Sequence, residues 1–195
     1  MKLAIFCGAA HGNNAAYRQA AYDFAQLAVT QNIEVIYGGG SVGLMGVIAD
    51  TVIKFNGHIT GYMPTNLIAR EIAHKKLSQL ISVESFAERK QKIIQHADAF
   101  VILPGGVGSL DEFFEVLNLV NIGQLKKPVG ILNTNGVYNN LVQLLQDMSE
   151  AGFLSSTTLE LINISREPED ILKQLMHAEM PEIRREYESS CLTGT

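Results

Sequence analysis

Ala99-Phe-Val-Ile-Leu-Pro-Gly-Gly-Val-Gly-Ser-Leu-Asp-Glu112 is the stretch on which the fold turns. Its first five residues are apolar without alternation, as a strand covered on both faces requires, and the run stops at Pro104. Glycines at 105, 106 and 108 follow, and a helical pattern then continues through Val120. Strand, glycine-rich turn and helix in that order form the repeating unit of a parallel sheet that presents ligands at its strand ends.

The same unit recurs on both sides of this stretch. Upstream, the apolar run 2–7 leads to Asn13-Asn14 and a helical spacing of Tyr17, Ala20, Ala21, Phe24 and Leu27. A strand at 34–37 runs into Gly38-Gly39-Gly40, and a helix over 44–55 ends at Asn56-Gly57. A third strand, 58–63, stops at Pro64; residues 65–78 read as a loop with short helical pieces before a strand near 80–83 and a helix over 86–96. Downstream come a strand at 128–132, a helix at 138–150 closed by Ala151-Gly152, a strand at 161–164 and a helix after Pro168. The expected architecture is α/β: a Rossmann-like doubly wound parallel sheet flanked by helices, in a single domain over 1–180 with a polar tail at 181–195.

Composition narrows the function classes. A chain of 195 residues with 47% hydrophobic and 18% charged residues can bury one sizeable core. Its net charge of −5 argues against nucleic-acid and membrane partners, because it offers no broad basic field. No apolar run approaches the length that spans a bilayer, and the N-terminal run is too brief for a signal segment, so a cytoplasmic protein is expected. Cys7 lies in an apolar run and Cys191 in the tail, without metal-ligand spacing, and His58, His74, His96 and His177 share none either. No metal site is expected from this spacing.

The chemistry is carried by two glycine-rich turns, 38–46 and 104–112, each following a strand and opening a helix. Glycines let the backbone approach a phosphate closely, unpaired amides at a helix start donate to its oxygens, and the helix dipole favours the negative charge. On this ground Gly39, Gly40 and Gly43 in the first turn, with residues 105–109 in the second, are candidate contacts for a phosphorylated ligand. Glycines also serve tight packing of helix on strand, so a single turn would be weak evidence. Gly8-Ala-Ala-His-Gly12 stands where a dinucleotide fingerprint would follow the first strand, which favours a mononucleotide.

YGGGSVGLMG at 37–46, RK at 89–90 and PGGVGSLDE at 104–112 together resemble the signature of the Lonely Guy family of cytokinin-activating phosphoribohydrolases. FCG at 6–8, GNN at 12–14, ARE at 69–71 and KPVGILN at 127–133 extend the resemblance over nearly the whole chain. It implies hydrolysis of the N-glycosidic bond of an N6-modified AMP, or of AMP itself, by a homodimer that needs no metal or cofactor. It further implies Arg89 and Glu112 as the catalytic pair, with Arg70, Lys90, Gly105, Gly106, Val107, Gly108 and Ser109 at nucleotide-binding positions. The sequence departs from the family pattern at Ala9, Ala10, His11, Ser109 and Leu119, which places AMP beside the cytokinin nucleotide as a substrate.

Elementary chemistry supports those roles separately. Glycosidic cleavage passes through an oxocarbenium-like sugar, which a carboxylate stabilises while activating water. Glu112 lies one helical turn beyond Gly108-Ser109, within reach of a ribose whose phosphate sits at the helix start. Arg89 is a permanent cation and a poor proton donor, so protonation of the leaving base stays unassigned. On helical spacing Glu115 shares the face of Glu112, whereas Asp111 points about 100° away. The non-enzymatic alternative is a nucleotide or molybdenum-cofactor carrier. A lysine decarboxylase would need a Schiff-base lysine, a context that Lys90 lacks. A single-strand DNA binder is disfavoured by the acidity of the chain. The apolar helix 113–122 offers material for a dimer interface, and core packing explains it equally well.

Overall fold

The computed structural model describes residues 1–68 and 72–180. In chain order the elements are β1 (Lys2–Phe6), α1 (Ala15–Thr30), β2 (Glu34–Tyr37), α2 (Gly43–Lys54), β3 (Ile59–Pro64), α3 (Thr65–Ile68), β4 (Gln79–Val83), α4 (Phe86–His96), β5 (Ala99–Ile102), α5 (Val107–Asn121), β6 (Val129–Leu132), α6 (Asn139–Glu150), α7 (Ser156–Glu160), β7 (Ile162–Ser165) and α8 (Pro168–His177). The polar tail expected at 181–195 lies outside the described residues.

All seven strands form one parallel sheet in the order β4-β3-β2-β1-β5-β6-β7. Side chains alternate between its faces, and so does the core. Leu3 and Ile5 of β1 join the apolar cluster beneath α1, α2 and α8, while Ala4 and Phe6 join the cluster built with α4, α5 and α6. Burial on both faces explains why β1 and β5 read as unbroken apolar runs. The winding reverses between β1 and β5, which pair in register from Leu3↔Ala99 to Phe6↔Ile102. In such sheets the ligand crevice opens at that reversal, outside the carboxyl ends of the strands.

Local signals account for most helix boundaries. The Asn14 side chain accepts from the Ala16 amide at the start of α1, and Asn56 takes a left-handed conformation (φ 59°) just after α2. Gly152 does the same (φ 79°) beyond α6. The sequence pattern has no counterpart to α7, which is five residues long and too short to show a helical period. Its start is set by Ser155, whose hydroxyl accepts from the Thr158 amide at 3.1 Å.

α4, which carries Arg89 and Lys90, is held at both ends. At its start the Ser85 hydroxyl accepts from the Glu88 amide (3.1 Å), and the Glu88 carboxylate accepts from the Glu84 amide (2.7 Å), in the manner of a capping box. At its end Lys127 Nζ donates to the carbonyls of Ile94 (2.9 Å) and Ala97 (2.6 Å). A cation there also meets the negative end of the helix dipole. Lys127→Met is expected to leave the fold intact and to cost about 1–3 kcal/mol, because it orphans carbonyls that had a charged donor. A thermal melt checks this, and an unchanged midpoint would remove Lys127 from the anchoring of α4.

Candidate active site

A cavity of about 810 Å³ opens at the reversal of winding. Its walls come from the loop after β1 (Cys7 to Gly12), the turn after β5 (Pro104, Gly105, Gly106), the start of α5 (Gly108, Ser109, Asp111, Glu112) and the first turns of α4 (Phe86, Arg89, Lys90). Segments far apart in sequence converge here, since β1 and β5 are adjacent. The Gly8 amide donates to Pro104 O (3.0 Å), stitching the two strand ends together. Tyr138 OH donates to Leu103 O (2.8 Å) and steadies the second turn from the far side.

That second turn presents an uncapped helix start. α5 begins after Gly106 with no side-chain cap and no acidic residue in its first turn. The first amides of a helix have no intrahelical acceptor, so they are available to a ligand. A Cβ placed on Gly106 or Gly108 would meet nothing within 4 Å, so both glycines border open space. Gly105 serves packing instead, since a Cβ there would overlap the Ser109 hydroxyl and come to 3.0 Å from the Gly8 amide. Ser109 is buried on the cavity wall. Val107 turns its side chain to solvent, 84% exposed, and does not line the cavity, so only its backbone belongs to this helix start.

The first glycine turn is arranged otherwise, and its glycines, candidate phosphate contacts by residue type, lie in packing contacts. Gly39, Gly40 and Gly43 are not on the cavity wall; Leu44 and Met45 are. The amides at the start of α2 are already engaged, Leu44 N at 3.0 Å and Met45 N at 3.4 Å from Gly8 O. Gly43 (φ 59°) lies so close to Ala9 that a Cβ would overlap its backbone. Gly39 O accepts from the His74 amide, and Gly40 bridges to Ala73. The turn packs α2 against the loop after β1, the use of glycine for close helix–strand contact.

Arg89 and Glu112 meet inside the cavity, with Arg89 Nη2 donating to Glu112 Oε1 at 3.0 Å. Their side chains are only 14% and 12% exposed. Arg89 Cζ sits 5.7 Å from the centroid of the Phe86 ring, one turn earlier on α4. Arg89 Nε is buried without a hydrogen-bond partner among the described residues, a donor facing an unfilled requirement. Burial pushes the Glu112 carboxyl above the usual carboxylate range; Arg89 opposes that, with lesser contributions from Asp111 (raising), Lys90 (lowering) and Glu115 (raising). Burial also pushes the neighbouring Cys7 thiol up, so it stands as a neutral group beside the pair.

Lys90 is spoken for. Its Nζ donates to both carboxylate oxygens of Asp111 (3.2 and 3.0 Å) and pairs with Glu115. Asp111 and Glu115, four residues apart, are joined through Lys90. The hydrogen bond to Glu115, against some desolvation, raises the Lys90 pKa. An imine-forming lysine must lose its proton readily, so Lys90 does not fit the Schiff-base role that a pyridoxal phosphate decarboxylase demands. Arg70 and Glu71 lie outside the described residues. His11 is on the cavity wall and exposed. Among the described residues no group of three His, Cys, Asp or Glu side chains is placed to hold a metal ion, and no helix is long and apolar enough to cross a membrane.

Sequence reasoning missed the apolar half of the cavity. Tyr17, Leu44, Met45, Phe86 and Val137 line it, and each looks in sequence like an ordinary core position. The helix segment proposed as interface material is mostly core: Phe113, Val116, Leu117 and Val120 are buried within the chain's own apolar cluster.

Comparison with known proteins agrees with this geometry. The family described as "Possible lysine decarboxylase" matches residues 45–175. Cytokinin riboside 5′-monophosphate phosphoribohydrolase LOG1 of Arabidopsis thaliana is 37% identical over 174 residues, covering 89% of this chain and 82% of the relative. Its paralogue LOG2 is 38% identical over 180 residues, covering 92% and 84%. Among solved structures, the molybdenum cofactor binding protein from Rippkaea orientalis superposes with a TM-score of 0.68 over 90% of this chain and 94% of its own, at 17% identity, a likeness of fold alone.

The raised Glu112 pKa has a consequence for stability. A carboxyl that holds its proton more tightly folded than unfolded makes its ionised form a cost to the fold, full above the folded pKa and absent below the unfolded one. Glu112→Gln is therefore expected to melt no lower than wild type at neutral pH, with any advantage shrinking as pH falls through the Glu112 pKa. Melting curves over a pH series check this; a variant markedly less stable at neutral pH would show that the ion pair holds the fold together.

Proposed function

This chain belongs to the Lonely Guy family, which carries the description "Possible lysine decarboxylase", and from that membership we propose that it hydrolyses the N-glycosidic bond of a nucleoside 5′-monophosphate. The substrate is a cytokinin riboside 5′-monophosphate or AMP, and the products are the free base and ribose 5-phosphate. The observation that carries this reading is the buried Arg89–Glu112 pair, one helical turn from an uncapped helix start bordered by open glycines.

In this mechanism the 5′-phosphate docks on the backbone amides of 107–109 and the Ser109 hydroxyl, with Lys90 as a nearby cation; Arg70 is a nucleotide-binding position by the family resemblance. The attached ribose then lies beside Glu112. As the bond between C1′ and the base nitrogen breaks, its electron pair leaves with the base and C1′ gains oxocarbenium character. The Glu112 carboxylate stabilises that charge and takes a proton from the water whose oxygen bonds to C1′, and the departing base takes up a proton from solvent to give the neutral free base. Burial makes Glu112 a stronger base than an exposed carboxylate, and the Arg89 cation keeps its ionised form accessible. Arg89 Nε, without a partner among the described residues, is assigned here as a donor to a substrate oxygen.

Gly39, Gly40 and Gly43 act through the position of Gly8 rather than through the phosphate. A homodimer belongs to the same reading, with the exposed Val107 and Phe86 side chains as apolar surface next to the cavity. The setting is taken as cytoplasmic, in keeping with the free thiol of Cys7.

The test is base release from adenosine, AMP, ADP, ATP and N6-isopentenyl-AMP, followed by chromatography for wild type, Arg89→Ala and Glu112→Gln. Turnover is expected for monophosphates, with both variants slower by at least about 100-fold. Equal turnover of adenosine would remove the phosphate anchor from the mechanism, and tight AMP binding without base release would favour a carrier. For wild type, kcat is expected to fall on the acid side as Glu112 becomes protonated, at a pH above the usual carboxylate range. An acid limb within that range would argue against Glu112 as the base.

A further inference from the structure

The first glycine of the YGGG run, Gly38, is absent from the cavity wall, and its lack of a side chain has an explanation in packing. A Cβ on Gly38 would overlap Arg89 Nη2 and lie 3.0 Å from Arg89 Cζ and 3.3 Å from Met45 Sδ. Nη2 is the atom that donates to Glu112. The guanidinium therefore occupies the space that any side chain at 38 would take.

Gly39, by contrast, needs glycine for its backbone, at φ 82°. Gly38 is not among the residues with positive φ, so alanine is conformationally permitted there. What excludes it is Arg89. On its other sides the guanidinium is bounded by the Phe86 ring and by the Glu112 carboxylate. Phe86, Gly38 and Glu112 thus fix the guanidinium from three separate elements.

We propose that Gly38 is a positioning residue for the catalytic pair: by leaving the end of β2 bare, it lets the Arg89 guanidinium seat against the strand with Nη2 turned to Glu112. The inference rests on the reading of Arg89 and Glu112 as the catalytic pair, but its geometry does not depend on the substrate. The obstructed group is the far end of a flexible side chain, so a methyl at 38 displaces Arg89 rather than the backbone. Displacement by about 1 Å at a reacting pair costs on the order of 100-fold in rate.

The experiment compares wild type, Gly38→Ala, Arg89→Ala and the double variant, each as the full chain. Three readouts are used: kcat and KM for base release from AMP, the ¹³C-carboxyl titration of Glu112 assigned by its loss in Glu112→Gln, and the melting midpoint. Gly38→Ala is expected to lower kcat by about 100-fold with a smaller change in KM. The double variant is expected to be no slower than Arg89→Ala, because the two changes act on one interaction. Glu112 is expected to titrate at higher pH in Gly38→Ala than in wild type, since the cation that favours its ionised form has moved.

If Gly38→Ala melts lower than wild type or does not fold, Arg89→Ala in that background is expected to restore it by vacating the space. Independent, multiplying losses in kcat, an unmoved Glu112 titration, or an instability that Arg89→Ala does not relieve would each overturn the proposal. Should wild type release no base from any monophosphate, the proposed reaction fails, while titration and melting still decide the role of Gly38.

Discussion

Where β1 and β5 lie side by side, the chain leaves one strand for a helix on one face of the sheet and the other strand for a helix on the opposite face. No helix can then cover both strand ends, and a crevice opens between them. Every functional feature follows from that opening. The loop after β1, the turn after β5 and the start of α5 meet there because their strands are neighbours, and the Gly8 to Pro104 hydrogen bond closes the floor. α4, arriving on the α5 side and held at both ends, brings Arg89 over the same point.

The crevice is also where the protein accepts an unfavourable arrangement. A buried carboxylate is costly even when paired, because removal from water offsets much of the attraction to its partner. The raised pKa of Glu112 records that burial outweighs Arg89. A carboxyl held at such a cost suits the role of base in the proposed hydrolysis. The neighbouring Lys90 has the opposite electrostatics: two carboxylates hold its proton, which suits a binding cation and not an imine-forming amine. The chemistry of the site thus departs from the description attached to the family and agrees with the named activity of its plant relatives.

The two glycine turns show how much of the site is legible in the chain and where legibility stops. Both follow a strand and open a helix, and by residue type alone they are nearly interchangeable. In the folded chain only the second borders the cavity with open glycines; the first has its helix-start amides taken by Gly8 O. That difference depends on which strand lies next to β1 at the reversal and which lies one position away, information that no local window contains. The carboxylates show the same limit. Spacing of three and spacing of four residues both bring helical side chains together, and Lys90 on another helix gathers Asp111 and Glu115.

The α/β class, the strand and helix order apart from the short α7 and the glycine-rich start of α5 can all be read from the order of residues, while Arg89 and Glu112 stood out through the family resemblance. The former are local properties: apolar runs, helical periods, caps and turn residues express the preferences of neighbouring backbone and side chains. Folding in three dimensions was needed to place Gly106 and Gly108 beside open space and Gly43 and Gly105 in tight packing, to line a cavity with Tyr17, Met45 and Phe86, and to rest Arg89 in space left by Gly38. Those outcomes arise from close approach between segments tens of residues apart, where the deciding quantity is the volume left between them.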